Sequence, residues 1–133
     1  MKTVILAGGL GTRLREVVND RPKPMALVAG KPFLEHQISS LKKQGLEEII
    51  LSVGHMANEI KSYFGGGIRH GVNITYSEED TPLGTAGAIR LAGRYLDQEP
   101  FCVLNGDTFS TLKLSKLLNF HNSKQNAIGS ISV

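Results

Sequence analysis

Short, nearly unbroken apolar runs separated by longer stretches of helical periodicity constrain this chain more than any other feature. The runs fall at residues 3–7, 48–53, 73–77, 101–105 and 127–133. They are rich in Val, Ile, Thr and aromatic residues, and several do not alternate with polar residues. Strands buried on both faces of a parallel sheet read this way. Between the runs lie apolar residues at helical spacing. Leu34, Ile38 and Leu41 form one face, with Gly45 where a helix C-terminal cap belongs. Met56, Ile60 and Phe64 form a second before the Gly65, Gly66, Gly67 break, Ile89, Ala92 and Leu96 a third, and Leu114, Leu117 and Leu118 a shorter fourth. Strand and helix in alternation predict right-handed crossovers and an open, mostly parallel α/β sheet with helices on both faces. At 133 residues the chain is read as a single domain. The last run, 127–133, meets the end of the chain with no element after it. An apolar strand so placed is expected to need a cover, either further residues or a second copy paired through this edge.

Charge narrows the partners. Fifteen Lys and Arg against twelve Asp and Glu give a net +3, too thinly spread to predict nucleic-acid binding. Its local distribution says more. Residues 11–31 carry Arg13, Arg15, Arg21, Lys23 and Lys31 against Glu16 and Asp20, a basic segment suited to a small polyanion. The single Cys102 excludes an internal disulfide framework. No apolar stretch approaches the ~20 residues that cross a bilayer, and the apolar run 4–7 is too short for a leader. The expectation is a cytoplasmic protein with no membrane contact. His36, His55, His70 and His121 lack the spacing of a zinc site.

Four segments carry chemistry. The first strand runs into Leu6, Ala7, Gly8, Gly9, Leu10, Gly11, Thr12, Arg13 and Leu14. Glycines let the backbone approach phosphate and turn N–H groups toward it, and Arg13 places a guanidinium fork just beyond them. The spacing is neither the dinucleotide nor the P-loop pattern. Next, Lys23 stands between Pro22 and Pro24, which predicts an extended backbone holding its ammonium in place. Third, Asp107 follows the 101–105 run at a strand's carboxyl end, with Gly106 freeing the turn. One carboxylate there suits Mg²⁺, which completes its shell with phosphate oxygens. In residues 82–87 (PLGTAG), Gly84 and Gly87 open the backbone to a planar ligand at a helix start whose N–H groups are free.

Taken together, the GGLGTRL segment (8–14), Lys23 between its prolines, GKPFL (30–34), PLGTAG (82–87) and NGD (105–107) resemble the signature of the sugar-1-phosphate nucleotidyltransferases. The resemblance spans essentially the whole chain. It implies a modified Rossmann-like α/β fold, Mg²⁺ as cofactor, and a nucleoside triphosphate and a sugar 1-phosphate as substrates. It also implies that Leu6, Ala7, Gly8, Gly9, Gly11, Thr12, Arg13 and Lys23 bind the nucleotide, the loop from Gly8 to Arg13 wrapping the triphosphate and Arg13 and Lys23 neutralising it. The loop from Leu83 to Gly87 would lie against the base, with Pro82, Leu83, Gly84, Thr85, Asn105 and Gly106 binding the nucleotide and Asp107 the metal. Arg13, Lys23 and Asp107 are the expected catalytic set. Two departures stand out. Arg15, Glu16, Val17, Val18 and Asn19 follow where the family often has a proline. The family's second metal carboxylate and sugar contacts come from a C-terminal half that the chain is expected to lack.

The stretch 76–84 together with 103–107 is most similar to the heptose-1-phosphate guanylyltransferases. Guanine offers N1–H and N2–H donors, and Glu78, Glu79 or Asp80 could accept them. A uridylyltransferase acting on an amino-sugar phosphate has a closely similar pattern. A nucleotide-binding regulatory module without chemistry is the non-enzyme alternative.

Overall fold

The computed structural model describes residues 1–9 and 21–133. Four parallel strands form the central sheet: β1 (Thr3–Leu6), β4 (Glu48–Val53), β5 (Asn73–Glu78) and β6 (Cys102–Asn105), in the order β5-β4-β1-β6. A small antiparallel hairpin, β2 (Leu27–Val28) and β3 (Lys31–Pro32), precedes helix α1 (Phe33–Lys43). Its two central residues, Ala29 and Gly30, both have positive φ, the tight reversal that suits the twist of the flanking strands. Helix α2 (Ala57–Phe64) joins β4 to β5, α3 (Gly84–Ala92) joins β5 to β6, and α4 (Leu114–Asn122) follows β6. The expected open parallel sheet with helices on both faces is the observed one.

The register explains the unbroken apolar runs. Thr3 stands opposite both Ile49 and Cys102, and Leu6 opposite both Ser52 and Asn105. β1 is therefore central, and its successive side chains enter two different apolar layers. Ile5, Ile49, Leu51, Val53 and Cys102 pack with Leu34, Ile38, Leu41, Ile60, Phe64 and Leu114. Val4 and Ile50 turn the other way, toward Ala92, with Leu6, Tyr95, Leu96 and Val103 around them. Each fully buried Leu or Ile contributes about 1.5–3 kcal/mol relative to exposure.

Helix α1 stops where the sequence says it should. Gly45 has φ +75, its N–H donates to the Lys42 carbonyl at 2.9 Å, and the Leu46 N–H donates to the Leu41 carbonyl at 3.0 Å. Those two bonds satisfy carbonyls the helix leaves open.

Four expectations need correction. Met56 does not belong to α2: it precedes the helix in the left-handed region, φ +58. Leu96 lies beyond α3, after the 3-10 turn Gly93–Tyr95 that ends the helix, and returns to extended backbone. Lys23 is not extended but opens a 3-10 turn, Lys23–Met25, in which Pro24 takes an early position where its missing N–H costs nothing. Residues 127–133 form no strand. They run along a trough of about 780 Å³ whose other wall is β6, so no ladder bonds hold them extended, and Ile128, Ile131 and Val133 stay exposed. The edge expected to pair with a second copy is thus not a strand, and β6 is the outer strand of the sheet on that side.

Candidate nucleotide site

The chain leaves β1 for β4 and β5 on one side, then returns through α3 to β6 on the other. Strand order therefore reverses between β1 and β6, and open α/β sheets bind ligands in the crevice outside the carboxyl ends at such a point. The segments that end up there are the ones the sequence singled out: Leu6 to Gly9 after β1, and Asn105 to Asp107 after β6.

These two ends are locked together. The Gly106 N–H donates to the Leu6 carbonyl at 2.9 Å. A Cβ on Gly106 would sit 2.7 Å from that same oxygen and 3.2 Å from Ala7 Cα, so only glycine allows the approach. Ala7 is tied on its other side, its N–H donating to the Ser52 carbonyl at 2.8 Å. Gly106 and Asp107 form the turn that follows β6, and Asp107 projects from it.

Asp107 meets Lys23. The Lys23 Nζ donates to Asp107 Oδ2 at 2.6 Å, and Thr108 Oγ1 donates to Oδ1 at 3.2 Å. Lys23 bonded to it holds the Asp107 carboxyl below the ordinary carboxylate range, against the opposing effect of partial burial. Both side chains remain about one-third to two-fifths exposed. Two of the three expected catalytic residues are thus brought together; the third, Arg13, lies outside the described residues, as do Gly11 and Thr12.

Gln37 was not anticipated. Its Nε2 donates to the Asn105 carbonyl at 2.8 Å and to the Thr108 carbonyl at 2.5 Å, bracketing the turn that carries Asp107. The signal was present: Gln37 falls three residues after Leu34 and one before Ile38, so it shares their apolar face, and it is buried.

The 82–87 segment forms the third wall. Gly84, with φ +69, opens α3, and no side-chain cap bond closes that end, so its first N–H groups are left for a ligand or water. Pro82, Leu83, Gly84 and Thr85 are exposed. Of the three acids proposed as base acceptors, Glu78 is paired with Lys61. Glu79 receives Ser52 Oγ–H at 3.0 Å and the Leu83 N–H at 3.0 Å. Asp80 bonds to no described residue and is exposed. Among the described residues no group of three His, Cys, Asp or Glu side chains could form a metal cage. A lone Asp107 still fits an ion that draws its remaining ligands from phosphate and water.

Residues 2–133 match the nucleotidyl transferase family. The chain belongs to that family. It is similar to the D-glycero-alpha-D-manno-heptose 1-phosphate guanylyltransferase of Aneurinibacillus thermoaerophilus, 46% identical over 91% of this chain, and to that of Campylobacter jejuni, 50% identical over 88%. Both alignments span 52% of the relative, so the chain covers about half their length. The crystal structure of HddC from Yersinia pseudotuberculosis complexed with GMP-PN superposes with a TM-score of 0.82 at 41% identity, over 90% of this chain and 53% of that one. As in other nucleotidyl transferase family members, the sheet of this chain is mostly parallel and carries helices on both faces. No helix among the described residues is long and apolar enough to cross a membrane.

Proposed function

We propose that this chain supplies the nucleotide side of a sugar-1-phosphate nucleotidyltransferase. The observation that carries the reading is the meeting of Lys23 with Asp107 at the strand-order reversal, beside the glycine loop, in a chain of this family. Gly8, Gly9 and the loop through Arg13 would receive the triphosphate, with Lys23 neutralising it. The loop from Pro82 to Thr85 would take the base, and Asn105 and Gly106 would line the floor. Asp107 would hold Mg²⁺ together with phosphate oxygens, and the bound ion would supply Lewis-acid polarisation of the reacting phosphate.

In this reading an oxygen of the sugar phosphate attacks the α-phosphorus in line. A new P–O bond forms as the bond to the β-phosphate oxygen breaks, and pyrophosphate leaves with the electron pair. No protein nucleophile is needed, because positioning and charge neutralisation dominate such transfers. Lys23 and Arg13 would stabilise the charge that builds on the leaving pyrophosphate.

GTP is the proposed nucleotide and a heptose- or mannose-type 1-phosphate the acceptor, supported by the guanylyltransferase relatives at 46% and 50% identity. With Glu79 bonded internally, Asp80 is the acidic residue best placed to accept from guanine. The sugar-binding surface would come from the part of the relatives that this chain does not span, and the reaction would run in the cytoplasm. Pyrophosphate release, measured with the complete protein, tests the assignment. It should require nucleotide, sugar 1-phosphate and Mg²⁺ together, and GTP should outcompete UTP. Equal nucleotide hydrolysis without sugar phosphate refutes transfer, UTP preference favours the amino-sugar uridylyltransferase, and binding without turnover favours a regulatory module.

A further inference from the structure

Three segments that are far apart in sequence interlock at Glu79. Its backbone N–H donates to the Val53 carbonyl at 2.8 Å, which fixes the residue at the end of β5 beside the end of β4. One carboxylate oxygen takes the hydroxyl of Ser52, a fully buried residue of β4, and the other takes the Leu83 N–H at the start of α3. The glycine loop closes over the same carboxylate. A Cβ on Gly8 would lie 2.9 Å from Glu79 Oε1 and 3.3 Å from the Val53 carbonyl carbon. A Cβ on Gly54 would lie 3.2 Å from the Gly8 carbonyl and 3.7 Å from Glu79 Cβ. Gly8 and Gly54 thus leave room for the Glu79 side chain to reach between the loop after β1 and the loop before α3.

We infer that Glu79 is a positioning residue that fixes the spacing between the phosphate loop at Gly8 and the base loop at Leu83. This rests on the nucleotide reading above. A ligand that spans both loops depends on their separation, whereas one that touches only the phosphate loop does not. The sequence offered Glu79 as an acceptor for guanine, and the bonds assign it a different task. A carboxylate receiving a hydroxyl on one oxygen and a backbone N–H on the other ties together the segments that carry those donors. Glutamine can keep both bonds, its Oε1 accepting from Leu83 and its Nε2 donating to Ser52 Oγ. Alanine keeps neither.

The experiment measures Mg²⁺-dependent binding of GTP, UTP and inorganic tripolyphosphate to the parent, Glu79→Gln and Glu79→Ala, together with exchange of the Leu83 amide hydrogen. The expected result is that Glu79→Ala weakens GTP and UTP by a similar factor, roughly 10-fold or more, and speeds Leu83 exchange by at least as much. Tripolyphosphate binding stays within about threefold of the parent. Glu79→Gln stays within about threefold for all three ligands and retains Leu83 protection. Loss of GTP but not UTP binding in Glu79→Gln overturns the inference, because it identifies a direct contact with guanine. Equal loss of tripolyphosphate in Glu79→Ala overturns it as well, as does unchanged Leu83 exchange. Should Glu79→Ala fail to fold, Ser52→Ala releases one anchor. Faster Leu83 exchange with weaker GTP binding supports the brace, and no change in either overturns it. If the parent binds tripolyphosphate but neither nucleotide, the base-loop reading itself fails and this inference with it.

Discussion

Adding one methyl group at Gly106 tests the geometry of the crevice directly. Gly106 has no positive φ, so alanine fits its backbone conformation and the effect comes from the new Cβ alone. That carbon would lie 2.7 Å from the Leu6 carbonyl oxygen, 3.2 Å from Ala7 Cα and 3.3 Å from Ala7 Cβ. None of these is the far end of a flexible side chain, since two belong to the backbone and the third is the root of Ala7, itself buried. Relief requires β1 and β6 to part at their carboxyl ends, stretching the 2.9 Å bond from Gly106 to Leu6. Overpacking of this kind typically costs about 1–3 kcal/mol. For a domain this size, about 3–5 °C of melting temperature accompanies each kcal/mol, so Gly106→Ala should melt roughly 3–15 °C lower. Because the same shift moves Asp107 away from Lys23, nucleotide turnover should fall by more than about tenfold. Gly93→Ala is the control: its backbone is helical and a Cβ there meets nothing within 4 Å. It should be neutral or stabilising by up to about 1 kcal/mol. Differential scanning calorimetry of both variants decides the matter. A Gly106→Ala protein that melts with the parent and turns over normally would show that the strand ends are not locked as described.

Two further outcomes follow from the pair at the crevice. Because Asp107 titrates below its ordinary value of 3.8 when folded, its contribution to stability is complete above that pH and is lost as pH falls through the lower folded value. The pair is partly exposed, so the loss should be about 1 kcal/mol or less, and Asp107→Asn should flatten the acid limb of a melting-temperature profile by that amount. Removing either expected phosphate partner, Lys23→Ala or Arg13→Ala, should lower kcat/KM by roughly 10²-fold, measured by pyrophosphate release, and Lys23→Ala should cost no more stability than the pair contributes.

The parts of this fold that could be read in the sequence are those whose environment is uniform. β1 and β4 are covered on both faces, so their runs are apolar throughout. α1 buries one stripe, so Leu34, Ile38 and Leu41 recur at helical spacing. Gly45 carries its own conformational signal. Features set by a partner distant in the chain were not legible. Residues 127–133 have the composition of a strand, but a strand exists only when another offers its backbone groups, and this segment faces a trough instead. The prolines around Lys23 restrict the backbone without deciding between an extended segment and a tight turn; the Met25 N–H donating to the Pro22 carbonyl at 2.8 Å marks the turn. Glu78, Glu79 and Asp80 are consecutive acids with nothing in their order to rank them. Their separate fates depend on Lys61, Ser52 and Leu83, which only the folded sheet brings near. Gln37 stands between these cases, since a polar residue on an apolar helix face signals a buried bond without naming its acceptors.

The two faces of the sheet are unequally covered by the described helices. One carries α1, α2 and α4 over a broad apolar layer, while the other carries α3, seated through the small buried side chains Ala88 and Ala92. A helix held by so little apolar contact can lift from its sheet at less cost than its neighbours across the sheet, and local opening favours the least anchored units. The loop at Pro82–Thr85 is the leading end of that helix. A ligand docked at that loop would be held by a helix anchored through small side chains, so each opening of α3 would loosen the hold.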